Sequence, residues 1–477
     1  MDMMNWVLGL LIVQGILGAF DTLYHHELTI ALPRRVTAKK ELMIHSVRAI
    51  LYGVVFAAIA NLEFHGVWVV AILSLILIEI GLTLWDFVVE DNSRKLPASE
   101  RVLHTVLAIN GGALFGLYTF QLWQWSHLPP ALVGVDYGWR SMALNLFAVG
   151  VLISGVRDGI AAIKLGSLKK MPNPFRNLKM QRVLVTGGTG FIGETLVNQL
   201  LDAGHEVTVW VRDPIRAAYL FTSRASCVSS LMQINPCKQF DLVINLAGAP
   251  VVGPRWNASR KKLLLSSRLD TTQELINWVK QAEIKPDTWI QASAIGYYGV
   301  RDESEQLSED SKKGEGFMAE LCDQWESLAR SVDSLGLRRI TLRFGLVFGP
   351  GGALPPLVLP HYFALGAKLG SGQQMMSWIH RQDLLKLFAE AITNHTMQGT
   401  YNAVAPDSIS QSEFARAVAK KLKRPFWLTI PATPLRWLLG ELAQLFADGQ
   451  YVIPKRLQTE NFTFDFPTLD SALEDLI

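Results

Sequence analysis

Residues Thr186 to Gly193 read TGGTGFIG, a glycine turn between the apolar run Val183 to Val185 and a helix-like stretch containing Leu196, Val197 and Leu200. That order suits the holding of a dinucleotide pyrophosphate. Gly187 permits the tight turn, Gly190 lets backbone approach the phosphates without a Cβ, and Gly193 lets the helix pack closely on the strand. The anion then rests on a helix N-terminus, where free N–H groups and the helix dipole favour negative charge. Thr189, Phe191 and Ile192 in and after the turn complete the candidate cradle, together with Asn245, Ala247 and Gly248 of a later NLAG segment.

Where a second strand should end, Trp210 and Val211 lead into Arg212 and then Asp213. Arg212 suggests NADP, because a guanidinium against a 2′-phosphate makes charge-assisted hydrogen bonds of about 1.5–3 kcal/mol. Asp213 leaves the alternative open that a carboxylate holds the ribose of NAD. Three further positions could act on a substrate. Ser293 ends a strand-like run and could bond a carbonyl, while Tyr297 or Tyr298 could donate a proton if a neighbouring cation lowered its pKa. The structural alternative is that Ser293 caps a turn and the tyrosines are wall residues. Arg343 and Trp378 are candidate pocket residues for an anionic or planar substrate.

Those residues must be positioned by a sheet. Strand-like segments HEVTVWV, DLVINLAG, TWIQASAIG and RRITLRFGLVFGPGG alternate with helix-like ones, which predicts a Rossmann-like, doubly wound parallel sheet of the α/β class. The three cysteines, Cys227, Cys237 and Cys322, lack metal-ligand spacing and fit a reducing compartment. A net charge of +3 gives no argument for nucleic acid.

TGGTGFIG, NLAG, ASAIGYYG, LRFGLVFGPGG, SWIHRQDL and YNAVAP together resemble an extended short-chain dehydrogenase/reductase. Arg255–Trp256, the SSR at Ser266 to Arg268, the CDQWE at Cys322 to Glu326 and the ending from LLGELAQLF to DSAL narrow this to the atypical "epimerase family" branch, related to sugar-nucleotide epimerases and carrying a C-terminal domain of unknown function. The resemblance covers roughly residues 181 to 477 and implies NAD(P) binding and a small-molecule substrate. Working members use a Tyr four residues before a Lys on one helix face, whereas the corresponding stretch here, FMAELCDQWE, has neither. The resemblance also points to a structural role for Asp383, as a helix cap or the partner of a loop amide.

The first third of the chain has a different character. Five stretches, roughly 4–24, 43–62, 67–89, 102–125 and 139–163, have the length and scarcity of charge of membrane helices, and the first is too long and too polar at its end for a cleaved signal peptide. The expected division is therefore a five-helix, all-α transmembrane domain over 1–165, a basic linker over 166–180, a nucleotide-binding domain over 181–425 and a C-terminal region over 426–477. Basic residues at Arg34, Arg35, Lys39 and Lys40, at Arg94, Lys95 and Arg101, and at Lys164, Lys169 and Lys170 share one side, which predicts an inner or plasma membrane protein with that side cytoplasmic and the N-terminus outside.

Ionisable residues gather at the same helix ends: Asp21, His25, His26 and Glu27, then His45 and Arg48, then Asp86 and Glu90, then Glu100 and His104, then Arg157 and Asp158. His25, His26, His45, Asp86, Glu90 and His104 are candidate ligands for iron, zinc or manganese, or walls of a pocket for a charged ligand. The alternative is a set of salt-bridged helix ends. Three functions stay open: a membrane-tethered oxidoreductase or epimerase acting on a small or lipid-soluble substrate, a catalytically silent NADP(H) sensor, and a membrane metal or ligand site coupled to a reductase domain.

Overall fold

The computed structural model describes residues 3–22, 39–93, 98–167, 171–235, 237–444 and 448–477. The chain divides into two compact units, Met1–Lys170 and Met171–Ile477.

The first unit is a bundle of α1 (Met3–Phe20), α2 (Lys39–Asn61), α3 (Val69–Ser93), α4 (Ala98–Ser126) and α5 (Trp139–Ser167). All five are long and apolar enough to cross a membrane. Helices α2 and α5 approach closely because small residues line their contact: a Cβ on Gly53 would meet Leu152, one on Gly155 would meet Ala49, and Ser46 Oγ donates to the Gly155 carbonyl at 2.7 Å. Amide side chains tie further pairs inside the apolar packing. Asn110 Nδ2 donates to Gln14 Oε1 at 2.7 Å, and Asn61 and Asn145 exchange hydrogen bonds at 2.8 and 3.1 Å. Short strands β1 (Leu62–His65) and β2 (Ala131–Gly134) pair antiparallel and join the α2–α3 and α4–α5 connections at one end. Large apolar side chains, Trp6, Val70, Trp85, Ile109, Met142 and Ile163 among them, are exposed on the helices. Such a surface is unsuited to water.

The second unit is built on β3 (Arg182–Thr186), β4 (Glu206–Trp210), β5 (Ser226–Val228), β6 (Leu242–Asn245) and β7 (Thr288–Ala294), followed after the short β8 (Gln306–Leu307) by β9 (Arg338–Phe344). Beyond β9 come four short strands, β10 (Leu346–Phe348), β11 (Ala367–Leu369), β12 (Met375–Met376) and β13 (Trp378–His380), and then β14 (Gly399–Ala403). Seven of these form one sheet in the order β14-β9-β7-β6-β3-β4-β5, every pair parallel. Helices α6 (Phe191–Asp202), α7 (Pro214–Leu220), α8 (Ala258–Gln281) and α9 (Phe317–Arg330) make the crossovers. Strand order reverses between β3 and β6, so a crevice opens at their carboxyl ends, where sheets of this kind take ligands. The expected strands are all present; β5, three residues long, carried no usable pattern. The segment read as a basic linker is partly core: Phe175 is fully buried beside Val183 and Leu196, and its carbonyl receives His205 Nε2 at 3.2 Å.

Candidate functional site

The glycine turn joins β3 to α6, and its backbone could not be built from residues with side chains. Gly187 sits at φ +67°, and a Cβ there would lie 2.4 Å from the Leu246 carbonyl oxygen; a Cβ on Gly193 would lie 2.3 Å from the Gly187 carbonyl oxygen. Gly190 is the N-cap of α6 and offers no side chain to its first amides, which leaves that helix N-terminus available to an anion. Thr189 and Gly190 are exposed, and Phe191 and Ile192 are half-buried. The cleft beyond the turn holds about 370 Å³ and is lined by Gly187, Phe191, Gly248, Arg268, Ser293 and Cys322, among others.

Asn245 serves the cleft from behind. It is fully buried, accepts from Thr186 Oγ1 at 2.7 Å and donates to Thr272 Oγ1 at 2.8 Å and Gln291 Oε1 at 3.0 Å. All of these bonds stay within the protein. Asn245 thereby locks β3, β6, β7 and α8 together and fixes the turn carrying Ala247 and Gly248. Arg212 is exposed just beyond β4. Asp213 caps α7 through a 3.0 Å bond from the Arg216 amide, so its side chain already has a structural task.

On the other side of the cleft, Ser293 ends β7 and donates to Glu326 Oε1 at 2.6 Å. Glu326 is held by Arg343 through Nε at 2.8 Å and Nη2 at 2.8 Å, a bidentate pair with both side chains buried. Arg343 also donates to Tyr298 OH at 2.9 Å, and Tyr298 donates to Asn402 Oδ1 at 2.7 Å. Its guanidinium lies 3.5 Å from the centre of the Tyr297 ring. Despite burial, the Glu326 carboxylate holds Arg343 charged, above its ordinary pKa. Burial pushes the Tyr298 phenol up to about 12, against the pull of Arg343. The two tyrosines and Arg343 form a wall behind the cleft rather than its lining.

Trp378 is fully buried and stacks on Phe348 at 5.4 Å in a separate apolar cluster. Asp383 receives the amides of Asp465 at 2.6 Å and Phe466 at 3.0 Å, which pins the C-terminal segment.

Helix α9 carries Cys322 and Glu326 four residues apart, the spacing at which working members carry Tyr and Lys. Burial pushes the Cys322 thiol up to about 12, so it remains protonated. Sequence reasoning passed over Glu326 and Arg268, although both stand in segments singled out for resemblance. Arg268 is buried at the cleft, stacked on Trp325 at 5.2 Å, and its hydrogen bonds go to the Leu264 and Ala249 carbonyls. No carboxylate lies within ion-pair distance of it among the described residues, and burial lowers its pKa. A cation so placed favours an anionic ligand.

In the bundle, His45 Nε2 lies 3.1 Å from Asp86 and 3.7 Å from Glu90, and His104 lies 3.1 Å from Asp21 and 3.4 Å from Glu90. Arg48 pairs with Asp86 at 2.5 Å and with Glu79 at 3.5 Å. His25 and His26 lie outside the described residues.

Residues 183–403 match the model of the NAD dependent epimerase/dehydratase family, and residues 430–476 match a domain of unknown function, DUF1731. The epimerase family protein YfhF of Bacillus subtilis is 33% identical over 296 residues, covering 62% of this chain and 97% of that protein. The epimerase family protein SDR39U1 of Bos taurus is 36% identical over 302 residues, covering 62% of this chain and 99% of that protein. A crystal structure of human SDR39U1, isoform 2, with NADPH matches with a TM-score of 0.56 at 34% identity, over 62% of this chain and 98% of that one. A nucleoside-diphosphate sugar epimerase from Corynebacterium glutamicum matches with a TM-score of 0.51 at 26% identity, over 68% of this chain and 62% of that one. Through its second unit, with the seven-stranded parallel sheet, the glycine turn and the C-terminal domain of unknown function, the chain belongs to the SDR39U1-like epimerase family.

Proposed function

We propose that the chain is a membrane-tethered, NADPH-binding oxidoreductase acting on a small or lipid-soluble substrate at the cytoplasmic face of an inner or plasma membrane. The observation that carries the cofactor half is the cleft at the β3/β6 switch point, with its side-chain-free helix N-terminus, Arg268 at its wall and Arg212 beyond β4. Bound NADPH would supply a hydride. Among the described residues that line the cleft, burial leaves the Cys322 thiol a poor proton donor, and Ser293 gives its hydroxyl hydrogen to Glu326. This favours a substrate whose reduced form is a stabilised anion over one that needs a proton in the same step. The bond from Ser293 to Glu326 also supports a second reading, a sensor that binds NADPH without turning it over.

Calorimetry on the full chain in detergent tests the cofactor assignment. NADPH is expected to bind about ten- to hundredfold more tightly than NADH, a gap that Arg212→Asp closes. Equal affinities in the parent protein would remove NADP. Oxidation of bound NADPH on adding electrophilic acceptors separates the enzyme from the sensor.

The membrane half rests on five apolar helices, their exposed apolar side chains and the one-sided basic residues. A reporter fused after Ile477 is expected to be active in the cytoplasm, and one fused before Met1 to report the outside. A cytoplasmic N-terminus would reverse the proposed orientation or remove one span.

A further inference from the structure

Two Glu-x-x-x-His pairs stand at corresponding places in the bundle: Glu41 and His45 near the start of α2, and Glu100 and His104 near the start of α4. Each pair meets one carboxylate from another helix. Donor atoms of Asp21, Glu100 and His104 lie within 4.8 Å of one another, and so do those of Glu41, His45 and Glu90. All four carboxylates are buried, with Glu90 and Glu100 at 0% exposure.

The two groups touch through Glu90. Its Oε1 lies 3.7 Å from His45 Nε2, and its Oε2 lies 3.4 Å from His104 Nδ1, while the other ring nitrogen of His104 faces Asp21 at 3.1 Å. Nitrogen and oxygen atoms bound to one ion at about 2.0–2.2 Å stand about 3–4 Å from each other, so these separations already suit ligation. The arrangement follows the plan of two-metal sites in helical bundles, in which two helices give a carboxylate and histidine one turn apart and two others give a single carboxylate.

We propose that the bundle binds two divalent transition-metal ions, one among Asp21, Glu100 and His104 and the other among Glu41, His45 and Glu90. Two carboxylates and one imidazole per ion form an oxygen-rich set that favours manganese or iron over zinc. Glu90 would have two tasks. It would ligate one ion, and its Oε2, 3.4 Å from His104 Nδ1, would orient the imidazole that binds the other, as carboxylates beside metal-binding histidines do. Asp86 Oδ2 lies 3.1 Å from the same His45 nitrogen and also pairs with Arg48, so it stands beside this ion's ligands as a carboxylate already held by a guanidinium. The open positions that three protein ligands leave on each ion would face a large cavity of about 1000 Å³, mostly apolar, whose walls include Asp21, His45, Arg48 and His104. This inference does not depend on NADPH binding by the second unit.

The test uses the full chain purified in detergent, stripped with a chelator and dialysed against Mn(II), Fe(II) or Zn(II), with metal counted by mass spectrometry. About two ions per chain are expected, falling to about one in His45→Ala or His104→Ala and to near none in the double variant. Glu90→Gln, which keeps volume but loses charge, should weaken both sites. His127→Ala, at an exposed histidine in the turn just after α4, should leave the count unchanged. Added metal should raise the unfolding temperature of the bundle in the parent but not in the double variant, a readout that holds where a variant is merely destabilised. A parent protein that takes up no metal, or whose count is the same in all three ligand variants, would overturn the proposal and leave the cluster a network of ion pairs.

Discussion

Glu326→Ala should destabilise the second unit by about 3–5 kcal/mol, because it strips the counter-ion from a buried guanidinium. Arg343 and Glu326 have side-chain exposures of 5% and 2%, and the carboxylate satisfies two guanidinium nitrogens and the Ser293 hydroxyl together. Removing it leaves all three donors without that acceptor, and solvent has little access to replace it. Replacing both charges should cost less. The double variant Glu326→Leu with Arg343→Met should recover at least half the loss, since well-packed apolar groups often match a buried ion pair in stability. Denaturant unfolding of the full chain, followed by the loss of bound NADPH, measures both. A single variant costing under about 1 kcal/mol, or a double variant no better than the single, would mean that Arg343 finds water or another acceptor.

That pair also shows what was legible in the sequence. The glycine turn and the strand alternation are local patterns, set by backbone sterics and by the burial of both sheet faces, and they gave the fold of the second unit and the place of its cleft. The missing Tyr and Lys were legible too, as an absence in FMAELCDQWE. What replaced them was not. The bond from Ser293 to Glu326 joins residues 33 apart, and the one from Tyr298 to Asn402 joins residues 104 apart. No periodicity links such positions, so Ser293 and Tyr298 looked available when their hydroxyls were already engaged. Trp378 misled for a related reason: an aromatic in a loop-like motif resembles a pocket wall until its stacking on Phe348 is seen.

In the bundle, helix length and charge order were readable because long apolar stretches alternate with ionisable residues gathered at the helix ends. The partners were less so. Glu79 and Glu41 were passed over, the first because it lies inside the apolar run of α3 and the second because it follows Lys39 and Lys40 at the start of α2. Both prove buried, Glu79 at 2% and Glu41 at 1%. Spacing along one helix gave the Glu100–His104 pair, but only packing brings Glu90 between His45 and His104.

The glycine turn gives the sharpest separation of folding from cofactor binding. Gly187→Val should lower NADPH affinity by about a hundredfold or more, through backbone strain of about 1–3 kcal/mol at φ +67° and a contact with the Leu246 carbonyl that no side-chain rotation relieves. The turn must open, which disturbs the strand ends as well as the cleft. Gly190→Val should act differently. Its Cβ would lie 3.3 Å from the Gly187 carbonyl oxygen, and the residue is exposed at the cap of α6, so the free protein should fold nearly unchanged. Affinity should still fall as steeply, because the added atoms occupy the approach to the helix N-terminus where the pyrophosphate would rest. Gly204→Ala is the control: φ is +86°, no atom lies within 4 Å of the new Cβ, and the position is outside the cleft, so it should cost some stability and no affinity. If Gly190→Val binds NADPH as the parent does, the phosphates do not rest on α6, and the cofactor site must be placed elsewhere in the crevice.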